Sequence, residues 1–511
     1  MVSQPSSHFT IFSSSLPWFS FPITSNFSRY IRLTSVEMSS QRESVLARKS
    51  QRNIIEIVQQ HLKATHASIV VRTVTKIISR LKDGTFSALQ MTMAFCKGNC
   101  LHGIFFDQAL DIHFKETGTV YGPLHGLPIN LKDQFYVKGV DTTMSYVGWI
   151  GSNFGFKDPS QAQKVDSQIP TELLSLGEAL HCKTSLAQTL PFAETKNNII
   201  CETLNPHNRN LSRDGSSGSE CALQALRDTD IGGSPTPERL SYRDIANTNP
   251  GLELALRATL STSPWLRDPA VLPIPFRQVI FDEYRSRDRG DGIASPMTNQ
   301  SVSPHPHIPS GLRLFVDTLK PLGTSRLPAS NRFPSQVPFL LVDSSHNMHR
   351  HLALLGEPLI PDLEEAFESK IPINLLQYRD LTLEGLEYEA AYSDYWNSTA
   401  DGDDGQIVDA MIIPVAPHAV AAAYTEVINL KNYSVAVIFT TKADNSINIV
   451  PELDKMDWEA YDPETYDGVP VAVQLVAREF EEEKILPCCV STLPIGEVVT
   501  ATLATYGKER K

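Results

Sequence analysis

Gly122-Pro-Leu-His-Gly-Leu-Pro-Ile-Asn-Leu-Lys-Asp133 is the stretch on which the fold turns. From Gly126 onward, Leu127, Ile129 and Leu131 alternate with Asn130 and Lys132. Successive side chains of a strand point to opposite faces, so this alternation predicts a strand with its aliphatic residues on one side. Asn130 and Lys132 then share the other side. Lys132 thereby acquires a fixed direction, which a lysine in a loop lacks.

Upstream, Val74, Ile77, Ile78 and Leu81 recur at the spacing of one helical face, and Asp83-Gly84 supplies a stop. Ser87 with Gln90 forms a capping box for a second helix running through Cys96. Downstream, residues 288–338 are rich in Pro, Ser, Arg and Gly and read as surface loops. Residues 357–397 read as helical, with their acidic side chains on a solvated face. Asp409-Ala-Met-Ile-Ile-Pro-Val415 and the run from Val469 to Val476 read as buried strands. Helices and apolar strands interleave along the chain, which predicts a layered α/β domain. No internal repeat is visible.

Composition narrows the function classes. With 511 residues and 41% hydrophobic content, the chain is long and apolar enough for a large core. A formal net charge of -13 argues against nucleic-acid and anionic-membrane partners, which need clustered cations. The seven cysteines are irregularly spaced and odd in number, so they do not read as a disulfide framework. Cys96 and Cys100 stand one helical turn apart, and packed thiols are preferred there to a metal site. His346, His349 and His351 follow no zinc spacing and are expected on loop surface. No apolar run approaches the roughly eighteen residues of a membrane helix. Residues 1–36 are Ser-rich, aromatic and free of acidic residues, a composition that overlaps with mitochondrial transit peptides. An unfolded extension is the preferred reading, and the cytosol is the expected location.

Two further segments carry chemistry: Asp214-Gly-Ser-Ser-Gly-Ser219 and Thr229-Asp-Ile-Gly-Gly-Ser234. Singly, each reads as a Gly/Ser turn. In this order after the Lys132 strand, they resemble the amidase signature family, particularly its fungal acetamidase-like members. Supporting stretches are Gly139-Val-Asp-Thr-Thr143, Cys182-Lys-Thr184, Thr203-Leu-Asn-Pro206, Pro264-Trp-Leu-Arg-Asp-Pro269, Asp409-Ala-Met-Ile-Ile-Pro414 and Gly468-Val-Pro-Val-Ala-Val-Gln474. The resemblance runs from about residue 73 to 484. It implies an α/β amidase-signature fold, a large mixed β-sheet covered by helices on both sides. The expected division is an N-terminal extension over 1–50, the amidase domain over 51–486 with the loop-rich stretch 288–338, and a divergent tail over 487–511.

The resemblance also implies roles. Lys132 is the catalytic base, Ser216 the bridging serine in a cis peptide, and Ser234 the nucleophile. The backbone amides of Ile231, Gly232, Gly233 and Ser234 form the oxyanion hole, and Leu190 falls at the acyl pocket. Such a site is chemically coherent. A serine hydroxyl attacks only when a neighbouring base takes its proton, and a lysine serves as base once burial disfavours its ammonium form. The expected reaction is hydrolysis of a monocarboxylic amide to carboxylate and ammonia through an acyl-enzyme on Ser234. No metal and no organic cofactor is required, and the implied partner is a small amide, with a homodimer as an open expectation.

Besides its tail, the chain departs from the family in three places. Ser219 stands where a second glycine is usual. The link between Ser216 and Ser234 is short by about half a dozen residues, which at roughly 3.3 Å each is a shortfall of up to about 20 Å. After Ser234, Pro235-Thr-Pro237 puts Thr236 where an Arg is expected, and residues 238–254 offer little apolar sequence for the missing buttress. These losses keep a second hypothesis alive, a non-catalytic protein on the amidase scaffold. An ammonia-supplying amidotransferase subunit is a third, disfavoured by the acidic charge. A nucleophile elbow of the Gly-x-Ser-x-Gly type and a phosphate loop are both absent.

Overall fold

The structure is a computed structural model. It describes residues 74–95, 101–151, 166–190, 194–212, 215–226, 229, 231–235, 242–246, 248–269, 271–287, 293–296, 304–319, 325–327, 343–401, 405–416, 433–444 and 462–488, with a few single positions between them. All of these fall in one compact unit that begins at Arg52. The expected extension over 1–50, Cys96, Cys100 and most of the tail lie outside the described residues.

Helix α1 (Val74–Lys82) buries Val74, Ile77, Ile78 and Leu81, the four residues of its periodic face. Gly84 at φ 71 turns the chain out of it, a left-handed conformation that glycine adopts at no steric cost. Helix α2 (Ala88–Phe95) opens with the capping box: Gln90 N donates to Ser87 Oγ at 3.1 Å, and Ser87 N donates to Gln90 Oε1 at 3.0 Å. Helix α3 (Leu101–Thr117) returns beneath it. Its Asp111 accepts from the amides of Ala88 at 2.6 Å and Leu89 at 3.3 Å, so one carboxylate satisfies two orphan donors at the start of α2.

The first sheet carries the site. Its strands are β1 (Pro128–Lys132), β2 (Ala179–Thr184), β5 (Ile231–Pro235) and β6 (Tyr242–Ala246), in the order β2-β1-β5-β6. β1 runs parallel to both neighbours, whereas β6 is antiparallel to β5. Helix α4 (Gln168–Ser175) leads into β2, and a two-stranded ribbon, β3 (Lys196–Asn197) with β4 (Cys201–Glu202), follows it. Helix α5 (Gly218–Leu226) precedes β5, and α6 (Asn249–Ser261) follows β6.

Every residue of β1 is buried, but the two faces differ in kind. Leu127, Ile129 and Leu131 join Leu180, Ile231 and the buried faces of α1, α2 and α6 in one apolar cluster. Each such side chain contributes about 1.5–3 kcal/mol on removal from water. Asn130 and Lys132 lie on the reverse face, as the alternation predicts, at 0% and 1% exposure.

The second sheet holds β7 (Ile293–Pro296), β8 (Ser325–Leu327), β9 (Ala410–Pro414), β10 (Ser434–Lys442) and β11 (Pro470–Ala477), in the order β10-β11-β9-β7-β8. Helix α7 (Gln278–Ser286) precedes it in the chain. One face packs on α8 (His307–Leu319) through Leu312, Phe315 and Val316. Short helix α9 (His346–Leu352) precedes α10 (Leu375–Asn397), and Tyr392 and Trp396 of α10 cover Met411 and Val476 on the other face. Among the described residues the mixed sheet thus falls into two ladders.

Several local expectations change. Residues 288–338 were expected as surface loops, yet they include α8 and two strands, and α8 is a core helix. The Pro- and Ser-rich flanks conceal the apolar period of Leu312, Phe315 and Val316. Helix is confined to 375–397 of the stretch 357–397, because Pro358, Pro361 and Pro372 withhold donors and clash with a preceding turn. His349 and His351 sit on α9, with His349 Nε2 donating to the carbonyl of Phe367 at 2.7 Å. His351 packs against Trp149. No cluster of three metal-binding side chains occurs among the described residues, and no described helix is long and apolar enough to cross a membrane.

Candidate active site

The reverse face of the first sheet gathers polar side chains, Lys132 and Ser234 buried and Ser216 and Ser217 half-buried. Lys132 ends β1, and its Nζ donates to Ser216 Oγ at 2.6 Å. Ser216 follows a cis peptide with Gly215, and with Ser217 it forms the approach to α5. Ser217 Oγ lies 2.7 Å from Ser234 Oγ. Ser234 is 6% exposed and stands on β5, one residue beyond the last pairing of β5 with β1, Leu131 with Gly233. Two hydrogen bonds thus bring a lysine and three serines into one cluster.

Chain length explains how the short link permits this. Helix α5 has nine residues and rises about 13 Å, whereas residues 227–234 can extend to about 26 Å. The return path is therefore long enough to bring Ser234 back to the start of the helix. The shortfall expected from the missing residues does not part the two segments.

The other departures have physical answers as well. Ser219, in place of a glycine, is 9% exposed and shares a 2.7 Å hydrogen bond with Thr203 Oγ1. The stretch 238–254, expected to offer little apolar sequence for a buttress, includes β6 and the start of α6. Thr248 caps α6 by accepting from Gly251 N at 3.3 Å, and Pro250 occupies its first turn. β6 pairs with β5 from Ile231 to Pro235. Ile231, Gly232 and Gly233 are consequently flanked by strands on both sides, and Ser234 is flanked by β6 alone. The four amides expected as an oxyanion hole lie in a ladder, a difference from what the resemblance implies.

Behind the serines, Glu220 of α5 is fully buried. Asn130 Nδ2 donates to its Oε2 at 2.5 Å, and Thr184 Oγ1 donates to its Oε1 at 2.5 Å. Burial raises its pKa to about 8, against the opposing pulls of the Thr184 hydrogen bond and the Lys132 charge. The carboxyl lies against Gly232, where any Cβ would collide with it.

At the bulge in β2, His181 is held neutral, its pKa lowered to about 4 by burial, while Nδ1–H donates to the carbonyl of Ile129 at 2.8 Å. Lys183 Nζ meets Asp133 Oδ1 at 2.5 Å and Thr142 Oγ1 at 2.7 Å, which fixes the turn directly after Lys132. Leu190 is half-buried at φ 67 in the turn after β2. That turn is anchored through Gln188, whose Nε2 donates to Glu357 Oε1 at 2.9 Å.

Ser217, Glu220 and Thr184 were not singled out from sequence. Ser217 is the second of the paired serines, and Glu220 lies four residues after Ser216 at helical spacing. Only packing shows which hydroxyl and which carboxyl face inward.

A mixed α/β protein with a buried lysine, paired serines and a glycine-strand serine on one sheet face has the architecture of an amidase. A family model described as Amidase matches residues 85–234, ending on Ser234. The acetamidase of Emericella nidulans is 33% identical, the match covering 86% of this chain and 91% of that protein. The acetamidase of Aspergillus oryzae is 32% identical over 83% of this chain and 90% of its own length. Among solved structures, a fatty acid amide hydrolase superposes with a TM-score of 0.74 at 21% identity, covering 88% of this chain and 89% of that one. The chain belongs to the amidase-signature family.

Proposed function

We propose that the protein hydrolyses a small monocarboxylic amide to the carboxylate and ammonia, with Ser234 as nucleophile, Ser216 as bridging serine and Lys132 as base. The observation that carries this reading is the 2.6 Å hydrogen bond from the buried Lys132 Nζ to Ser216 Oγ, beside the 2.7 Å contact that ties Ser234 to the paired serines. In this scheme Ser234 Oγ bonds to the amide carbonyl carbon, and its proton passes through the paired serines toward Lys132 Nζ. The carbonyl oxygen becomes an oxyanion, whose reception by the amides of Ile231–Ser234 requires that β6 release its pairing with them. Collapse breaks the C–N bond, the relay returns the proton to the departing nitrogen, and ammonia leaves. Water then attacks the ester on Ser234 and releases the carboxylate. An apolar residue at Leu190 and relatives named acetamidase favour a short or apolar acyl group.

A second reading, a non-catalytic amidase scaffold, is favoured by one observation: β6 pairs along the amides that would receive the oxyanion. A fluorophosphonate probe separates the two. Labelling of wild type that is absent from Ser234→Ala supports the enzyme, together with ammonia release from acetamide or a longer aliphatic amide. A folded wild-type protein that neither labels nor releases ammonia rejects it.

A further inference from the structure

The carboxyl of Glu220 receives its hydrogen bonds from neutral groups alone. The acceptors in this pocket are the two carboxyl oxygens of Glu220, Asn130 Oδ1 and Gln224 Oε1, and the last two are buried with no hydrogen-bond partner. Gln224 Nε2 directs one hydrogen to the carbonyl of Ile245 at 3.0 Å, and the groups that donate to the carboxyl are the Asn130 amide and the Thr184 hydroxyl. Both are neutral groups. A fully buried carboxylate whose hydrogen-bond donors are all neutral is costly, and one proton on the carboxyl removes that charge.

Position gives that proton a consequence. Asn130 shares its strand face with Lys132, Thr184 is the register partner of Lys132 across β1 and β2, and Gly232 is the register partner of Asn130 across β1 and β5. Glu220 therefore joins three strands at the level of the lysine. The charged group that acts on it is Lys132 on β1. β2 presents the Thr184 hydroxyl, β5 presents glycine, and α5 itself presents Gln224. An anion here would hold Lys132 as an ammonium, which cannot accept a proton from a serine.

We propose that Glu220 works as an uncharged carboxylic acid, a positioning residue that ties the strand of Lys132, its neighbour β2 and the glycine strand together without placing an anion beside the base. The rise of its pKa to about 8 through burial accords with this state at neutral pH. The consequence for Lys132 rests on the amidase reading; the protonation of Glu220 does not.

The direct test is infrared spectroscopy of the full chain in the Asp107→Asn background, which removes a second buried carboxyl. A buried protonated-carboxyl band at pH 7 that is lost in Glu220→Gln, and that bleaches as pH passes about 8, is the expected result. Thr184→Val, which removes one partner, shifts the same band and serves if Glu220→Gln does not fold. Absence of the band at pH 7 in wild type overturns the proposal whether or not the protein is active. In turnover or fluorophosphonate labelling, Glu220→Gln keeps wild-type kcat at pH 7 within about threefold and lacks the decline above pH 8. Glu220→Ala loses about a hundredfold in kcat with KM little changed. Folded Glu220→Gln as inactive as Glu220→Ala would mean that a charge is required, and the proposal fails. A wild type that does not label refutes the amidase reading and leaves the infrared band to decide this one.

Discussion

Gly232→Ala places one methyl group where three polar side chains converge. Its Cβ would stand 3.0 Å from Asn130 Oδ1 and 3.3 Å from Gln224 Nε2, and closer still to Glu220 Oε2. Relief requires the Glu220 carboxyl to move by about 1.4 Å to reach ordinary contact distance. That carboxyl is held from two strands at once, by Asn130 and by Thr184. Overpacking of this kind costs about 1–3 kcal/mol, and a buried carboxyl deprived of one partner costs about 1–3 kcal/mol more. The expected destabilisation is therefore about 2–6 kcal/mol, read as the shift of the urea unfolding midpoint at constant slope. Ser234 lies two residues along the same strand, so its fluorophosphonate labelling should slow by about a hundredfold, the effect of roughly 1 Å of misplacement. A double-mutant cycle isolates the cause. In a Glu220→Ala background the clash is gone, and Gly232→Ala should cost at least about 1 kcal/mol less than in wild type. Unchanged stability in Gly232→Ala, or strict additivity with Glu220→Ala, would refute the packing argument.

The other predictions are simpler. Lys132→Met, Ser216→Ala and Ser234→Ala should each lower amide turnover by about a thousandfold or more, whereas Ser217→Ala, removing the hydroxyl that touches Ser234, should cost about tenfold in kcat. Steady-state ammonia release measures all four, and full activity in Ser234→Ala would sink the assignment. Asp107, buried on α3, has its pKa raised to about 7 by burial, with the nearby Thr92 hydroxyl pulling the other way. The folded state thus binds this proton more tightly than the unfolded one, so the stability it confers is full below about pH 4 and is lost as pH rises to about 7. Asp107→Asn should gain on wild type across that window by a few kcal/mol and gain nothing further above it; a constant difference across the window in denaturant titrations would contradict this. Lys183→Met removes the cation that faces Asp133 in the turn after Lys132 and should cost about 3–5 kcal/mol, while Lys183→Met with Asp133→Asn should recover a large part of that loss. A double variant no more stable than the single one would show that the ion pair is not the cause.

Much of the fold was legible in the chain because it rests on local periods. The face of α1, the capping box at Ser87 and Gln90, and the two faces of β1 each depend on residues within one turn or one pleat of one another. The helix α8 was hidden because its apolar period is short and framed by Pro and Ser, so flanking composition outweighed the periodic signal. The break of helix before Leu375 was readable from Pro358, Pro361 and Pro372, although the acidic composition around them suggested otherwise.

By itself the sequence determined that Lys132 points away from the apolar core, since the side-chain period of a strand is two and Leu127, Ile129 and Leu131 claim the other side. It also determined that Gly232 and Gly233 lead to Ser234 along a stretch with no side chains to obstruct it. Tertiary structure alone decided what meets there. Ser217 against Ser234, Glu220 between Asn130 and Thr184, and β6 alongside the glycine strand all join residues separated by loops whose geometry no local pattern encodes. The reach of residues 227–234 against the rise of α5 was open to arithmetic, but the direction of the return was not, because it depends on which face of the sheet the helix covers.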